Sequence, residues 1–262
     1  MENQLISYTL HLADNSLILG HRNSEWTGHG PILEQDIAIS NIALDLIGQA
    51  RNFYQYAAKL INESTIQQFN NSAYQPATED TLAYLRNAND FKNFLLVEQP
   101  NGDWGKTILR QFFFSAHQFY LYQQLKNSND ETLAAIAEKS LKEVVYHLRW
   151  SSEWVIRLGD GTEESHSRML KAIDDLWMFT EEMFQASSYE LMAVSEKYGI
   201  DVSLIKNDWL KKVKEVFDEA TLSIPENANM KVGGKKGNHT EHLKNILEEM
   251  QFLQRTYPNS EW

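Results

Sequence analysis

Residues 131–158, ETLAAIAEKSLKEVVYHLRWSSEWVIRL, decide the fold class. Their apolar positions fall at Leu133, Ile136, Ala137, Leu141, Val144, Val145 and Leu148, the three-and-four spacing of one helix face. Asp130 stands before the stretch as an N-cap, and Gly159-Asp160-Gly161 closes it before Thr162 opens the next run. The same grammar extends outward in both directions. The five prolines sit at positions 31, 76, 100, 225 and 258, none of them between 101 and 224. Most of the twelve glycines cluster in short breaks such as Gly28/Gly30, Gly102/Gly105 and Gly233/Gly234/Gly237. Strands would need turn residues every 8–12 positions, so long spans between clustered breakers mean long helices.

The spacing predicts helices near 3–21, 32–62, 104–127, 131–158, 163–184, 203–222 and 240–257. Shorter turns are expected near 79–97 and 188–198. Asp103 is placed to cap the third of these, Thr240 begins the last and Pro258 follows its end. With no internal repeat and no linker-like composition, residues 1–262 read as a single all-α domain, an up-down helical bundle with accessory helices.

Composition narrows the function classes. Lys and Arg number 24 against 36 Asp and Glu, a net charge of −12, which opposes a nucleic-acid or anionic-membrane partner. The chain has no cysteine, which removes disulfides, thiolate metal sites and a cysteine nucleophile. No run approaches the ~20 apolar residues of a membrane span. Met1-Glu2-Asn3-Gln4 lacks the basic start of a secretory leader, and Asp14-Asn15 interrupts the first apolar run. The expectation is a cytoplasmic protein.

A bundle of this size raises carboxylate-bridged di-iron chemistry, which needs one Glu from each of two helices and a Glu-x-x-His pair from each of the other two. The sequence supplies these poorly. Only His166 has a glutamate three residues earlier, Glu163, and that pair lies in a first helical turn where acids commonly complement the helix dipole. His147 has Val144 at the required position; Glu143, four residues away, is expected to pair with it. From Trp104 to Asn129 there is no Asp or Glu at all. Asp14 and Asp45 read as paired polar groups in the core, with Gln49, Arg51 and Asn52 as candidate partners. His239 and His242 share helical spacing at a helix start with no third ligand in view. No catalytic, cofactor-binding or metal-ligating residue is therefore assigned. One basic loop stands out, Lys231 to Gly237, in which Lys235 and Lys236 are candidate contacts for an anion or an acidic partner surface, set against an ordinary solvated loop. The aromatic residues Phe112, Phe113, Phe114, Phe119, Tyr120 and Tyr122 fit either a helix buried on all sides or a subunit interface.

Several ordered motifs resemble a known family. Glu25-Trp26-Thr27-Gly28-His29-Gly30-Pro31, Leu33-Glu34-Gln35-Asp36 and Leu44-Asp45-Leu46-Ile47-Gly48-Gln49-Ala50-Arg51-Asn52 are similar to the opening motifs of the C subunits of phenylacetyl-CoA 1,2-epoxidases, the multicomponent oxygenases of phenylacetate degradation. Leu95-Leu96-Val97-Glu98-Gln99-Pro100-Asn101-Gly102, Tyr146-His147-Leu148-Arg149, the run from Gly233 to Leu243, and Trp262 continue the likeness. The resemblance implies a ferritin-like bundle that acts as the non-catalytic structural partner of a homologous di-iron A subunit, within a complex of further oxygenase components. It places iron and the CoA thioester on the A subunit, and NADPH, flavin and iron–sulfur on a reductase. Where the catalytic relative would carry Glu-x-x-His, this chain has Leu46-x-x-Gln49 and Val144-x-x-His147. Self-association of the chain alone is a second expectation for its partners. Two rivals remain at this point: an autonomous di-iron oxygenase, and a homo-oligomeric helical module that sequesters a hydrophobic or acyl ligand.

Overall fold

A computed structural model describes residues 4–66, 75–258 and 260, and Trp262 lies outside them, as do Met1, Glu2 and Asn3. The described residues form helices and turns with no strand: α1 (Gln4–Ser24), α2 (Leu33–Ile66), α3 (Glu79–Tyr84), α4 (Leu95–Glu98), α5 (Trp104–Leu125), α6 (Glu131–Gly159), α7 (Glu163–Leu176), α8 (Ser188–Ser195), α9 (Lys206–Glu219), α10 (Glu241–Met250) and α11 (Phe252–Thr256). The anticipated caps do their work. Asp103 accepts from the Lys106 amide, Asp130 from that of Leu133, and Thr162 forms a capping box with Ser165.

The four longest helices make the bundle. Tyr54 of α2 meets Asp14 of α1, and Asn23 and Gln111 join the end of α1 to the start of α5. Gln49 of α2 reaches Glu143 of α6, while Gln35 reaches Trp150. In each of these pairings a higher number on one helix faces a lower one on the other, so spatial neighbours run antiparallel. In chain order, however, α2 and α5 point the same way. The segment between them is a long crossover carrying α3 and α4, the connection found in ferritin-like folds.

Two anticipated helices break. The run expected over 163–184 leaves α geometry at Leu176 and continues as short 3₁₀ turns, because Trp177, Phe179 and Phe184 all turn into the core. The last helix is interrupted at Gln251, whose buried amide leaves the helix surface to bond the carbonyls of Ala83 and Arg86. Val145, expected on the core face of α6, is half exposed, since the buried stripe runs through Leu133, Ala137, Val144 and Leu148.

Most of the acid-free helix is taken up by the core. Phe112, Phe113, Phe114 and Tyr122 are buried, and the Phe113 ring packs against Trp177, Trp209 and Phe217 from α9 and the segment after α7. These four belong to the core, where α7 and α9 cover the face that the bundle leaves open, while Phe119 and Tyr120 stay half-buried.

Asp14, wholly buried in α1, ties the crossover to the bundle. Its Oδ1 accepts from the Tyr54 hydroxyl at 2.5 Å and from Arg86, and its Oδ2 from the Lys92 amide at 2.8 Å. The expected partners Gln49, Arg51 and Asn52 lie elsewhere: Arg51 reaches Glu79 at the surface. The next residue, Asn15, accepts from the Phe94 amide, while His11, one turn earlier, meets the Lys92 carbonyl. Removing one partner of such a pair strands a charge in a low-dielectric interior. Arg86→Met should therefore lower unfolding free energy by about 3–5 kcal/mol in urea titration. Adding Asp14→Asn to it should recover part of the loss.

Candidate functional site

The centre of the bundle is polar and built largely of carboxamides and hydroxyls. The Asn23 amide donates to Gln111 at 2.6 Å, and Gln111 donates to the Ser115 hydroxyl at 2.8 Å. Farther along, the Gln118 amide nitrogen lies 3.2–3.4 Å from Tyr122, Gln49 and Ser16. Gln49 in turn donates to Glu143 at 2.9 Å. A carboxamide both donates and accepts, so one residue type can bridge facing helices without any ion.

The residues present do not fit a di-iron centre. Leu46 and Val144 are completely buried and offer no donor atom where the Glu-x-x-His pattern needs carboxylates. His147 pairs through Nε2 with Asp45 at 2.9 Å, not with Glu143, whose carboxylate is taken by Gln49. Asp45 itself is partly exposed and so is not the core acid its surroundings suggested. His166 donates from Nδ1 to the Gly159 carbonyl, closing the turn between α6 and α7. Among the described residues no group of three or more His, Asp or Glu converges as a metal site.

The basic segment is where sequence and structure differ most. Gly234 lies so close to the Asn93 carbonyl, and Gly237 to that of Asn89, that a Cβ at either position would collide with backbone. Gly237 also takes a left-handed φ of 77°. The loop is consequently pressed onto the crossover. Glu182, buried, accepts from the amides of Leu95 at 2.8 Å and Gly233 at 2.7 Å. Lys235 is only 4 % exposed; its ammonium contacts both oxygens of buried Glu190 at 2.9 Å and the Gln185 carbonyl at 2.8 Å. That corrects its reading as a free anion contact: an ammonium buried this deeply must be paired. Lys236 stays exposed, as does Lys231, and stands on the rim of a 230 Å³ surface cavity shared with Glu182, Gln185 and Asn238.

The clasp continues at the next residues. Buried Glu98 of α4 accepts from the Thr240 amide and hydroxyl, the Asn93 side-chain amide and His239 Nδ1, all within 2.9 Å. Thr240 therefore begins α10 with its hydroxyl turned to Glu98 rather than capping the helix. His239 Nε2 faces the Phe91 carbonyl at 2.9 Å. Both ring nitrogens of His239 meet acceptors, so both must donate, and the ring is an imidazolium.

Titration follows these surroundings. Burial alone would lower the His239 pKa, but the bond to Glu98 and its charge outweigh it and raise the value above the usual 6.5. Burial likewise works against ionised Glu190, yet Lys235 and His11 hold its carboxyl below the ordinary range. In contrast, burial lowers His11 to about 4, against the pull of Glu190, and His117, ringed by Phe94, Phe114 and Phe184, to about 3. The cavity between these two histidines, Asn15 and Gln118 measures about 10 Å³, room for one water and too small for an acyl chain.

Sequence reasoning does not single out the anchoring acids Glu98, Glu182 and Glu190. Glu98 carries a signal, an acid following the apolar run Leu95-Leu96-Val97. Glu190 carries one too, the capping-box spacing from Ser187, from whose amide and hydroxyl it accepts, but its partner Lys235 lies 45 residues away. Glu182 carries none, because its donors at Leu95 and Gly233 are more than 50 residues away.

Compared with known proteins, the chain matches the family described as "Phenylacetic acid catabolic protein" over residues 1–262. It is 46% identical over 260 residues to the C subunit of the 1,2-phenylacetyl-CoA epoxidase of Escherichia coli (strain K12), an alignment spanning 99% of this chain and 100% of that protein.

Two measurements check the clasp. Lys235→Met should lower unfolding free energy by about 3–5 kcal/mol by orphaning Glu190, whereas Lys236→Glu should change it by no more than about 0.5 kcal/mol. Stability should also vary with pH on two limbs. His239, with its raised pKa, contributes stability that is complete below pH 6.5 and is lost as pH rises through the folded value. His11 and His117, with lowered values, contribute stability present above pH 6.5 and lost as pH falls toward 4 and 3. Urea midpoints taken across this range should show both limbs, and His239→Gln should remove the alkaline one only.

Proposed function

From its membership of the phenylacetic acid catabolic protein family, to which this chain belongs along its whole length, we propose that it is the non-catalytic structural subunit of a multicomponent phenylacetyl-CoA 1,2-epoxidase in aerobic phenylacetate catabolism. In this reading it packs against the homologous di-iron catalytic subunit in the cytoplasm and is inactive alone. The relative's own description, as one lettered component of such an epoxidase, supports membership of an assembly.

The observation that carries the non-catalytic part is the bundle centre. Asn23, Gln49, Gln111 and Gln118 meet hydroxyls and one another where carboxylate ligands would have to stand. Dioxygen activation at a carboxylate-bridged pair of irons requires anionic oxygen ligands to balance the metal charge, and neutral amides with Leu46 and Val144 do not supply them. Iron and the acyl-CoA site then belong to the partner, and NADPH, flavin and iron–sulfur to a reductase. What this chain contributes is a rigid helical surface. Its buried ion pairs and amide ladder fix the helices in one register, so the partner meets a preorganised face at little entropic cost. Lys236, the exposed cation of the clasp, is the residue of the basic segment assigned to contact with an acidic surface or a ligand phosphate.

Co-expression with the di-iron subunit tests this. The two chains should co-elute, and the complex should survive ~0.5 M salt, where screening leaves charge steering little range. Epoxidation of phenylacetyl-CoA, with reductase and NADPH supplied, should require both. This chain purified alone from iron-replete cells should hold far less than one iron per chain. Lys236→Glu should weaken assembly or turnover with an unchanged melting temperature. Two irons per isolated chain, or full turnover by the partner alone, would overturn the assignment.

A further inference from the structure

The corner where the α1–α2 connection meets α5 carries more positive charge than its acids balance. Arg110, wholly buried in α5, donates to the Gln99 carbonyl and to Asn101 Oδ1, and its Nε has no acceptor among the described residues. Arg22, near the end of α1, stands beside it and pairs with Glu25 at 2.7 Å. Burial first, then the neighbouring Arg22, bring the Arg110 pKa down to about 9, against the pull of Glu25. Two guanidinium groups thus share one carboxylate.

Asn101 joins these groups. Its Nδ2 donates to the Arg22 carbonyl at 2.7 Å and to Glu25 Oε2 at 2.8 Å, and its Oδ1 accepts from Arg110. Its main-chain carbonyl accepts from the Thr107 hydroxyl at 3.1 Å, and that hydroxyl accepts from Trp26 Nε1 at 2.9 Å. The next residue is Gly102, in the only Asn-Gly pair of the chain. Asn-Gly is the asparagine dipeptide most prone to cyclise, since no Cβ hinders approach of the glycine nitrogen to the carboxamide. Gly102 is exposed, has a left-handed φ of 61°, and its amide donates to no group among the described residues. The nucleophile for an attack on the Asn101 carboxamide is therefore free. What restrains the reaction is the hold on the carboxamide itself.

We propose that Asn101 is a latent deamidation site, guarded by its bonds to Arg22, Glu25 and Arg110 and released when this corner opens. In the reaction the Gly102 nitrogen gives its proton to a solvent base and bonds to Asn101 Cγ. The Cγ–Nδ2 bond breaks and ammonia leaves with a proton regained from solvent. Water then opens the succinimide to aspartate or isoaspartate, so one water is taken up, one ammonia is released, and no oxidant or reductant is needed. Attack makes the planar Cγ tetrahedral, which pulls Nδ2 and Oδ1 away from charged partners fixed on opposite sides. The folded corner therefore opposes the step. The product does not restore the corner. An aspartate gives Arg110 the carboxylate it lacks, but it sets an oxygen where Nδ2 had donated to Glu25 and to the Arg22 carbonyl, and two acceptors cannot pair. Glu25, exposed and the first residue of the connection to α2, is the group free to leave. A transient opening is thereby recorded in the covalent structure as a loosened α1–α2 connection.

Mass spectrometry of the full-length chain provides the test. During warm incubation at mildly alkaline pH, Asn101 should gain one mass unit, located by tandem spectra of the tryptic peptide 93–106. The gain should be at least about tenfold slower in the folded chain than in the same chain unfolded in guanidinium chloride. Glu25→Ala removes one guard from an exposed position. It should leave the thermal midpoint nearly unchanged while speeding the folded-state reaction by about threefold or more. Asn101→Asp, the product made genetically, should fold and show faster hydrogen exchange over residues 25–30, with α6 unaffected. Equal rates in the folded and unfolded chains overturn the proposal, as does an unfolded chain in which other asparagines react before Asn101. So does a folded-state rate that Glu25→Ala leaves untouched, or exchange over 25–30 that Asn101→Asp does not alter.

Discussion

Four acidic side chains, Asp14, Glu98, Glu182 and Glu190, are fully buried among the described residues, and the fold outside the bundle depends on satisfying them. Burying a carboxylate costs several kcal/mol unless donors surround it. Each of the four is met by donors from a segment distant in sequence: Asp14 by Arg86 and Lys92, Glu98 by His239 and Thr240, Glu182 by Leu95 and Gly233, Glu190 by Lys235. Many of these donors are main-chain amides of irregular segments. Such amides would otherwise be lost in the interior, so acid and loop solve the same problem for each other. This is why the crossover and the 231–240 segment hold a defined path although neither is a long helix.

The centre of the bundle relies mainly on carboxamides instead. The amide ladder through Asn23, Gln111, Gln118 and Gln49 fixes the register of four helices that apolar packing alone would allow to slide, because a buried amide N–H separated from its acceptor costs free energy. A di-iron protein of this architecture makes the same helix alignment with metal–carboxylate bonds. Here carboxamides do the positioning part of that work.

Helix existence, order and most boundaries are legible in the sequence, since capping residues and apolar spacing act over only a few positions. Asp103, Asp130 and Thr162 mark starts that the structure keeps. The scarcity of carboxylates along one long helix is legible too, because it rests on residue identity: the stretch from Trp104 to Asn129 holds no Asp or Glu. The family likeness rests on motifs whose structural meaning becomes visible only in three dimensions. The run from Gly233 to Thr240 is a clasp in which two glycines admit neighbouring carbonyls, while a lysine and a histidine complete buried acids.

Pairing, by contrast, is decided only by tertiary structure. Lys235 and Lys236 are adjacent and chemically alike, yet one is buried on Glu190 and the other faces solvent. Local sequence does not distinguish them, for the difference lies in an acid 45 residues away. His147 takes Asp45 over nearby Glu143 because α2 brings that carboxylate across the bundle. Trp177 and Gln251 end helices that their own neighbourhoods would have continued, drawn aside by core space and by open carbonyls at Ala83 and Arg86. The chain by itself determined which segments are helical and which long helix is free of carboxylates, because both depend on residues within a few turns. Which charge meets which, and where a helix must stop, depended on donors and volumes that only folding brings together.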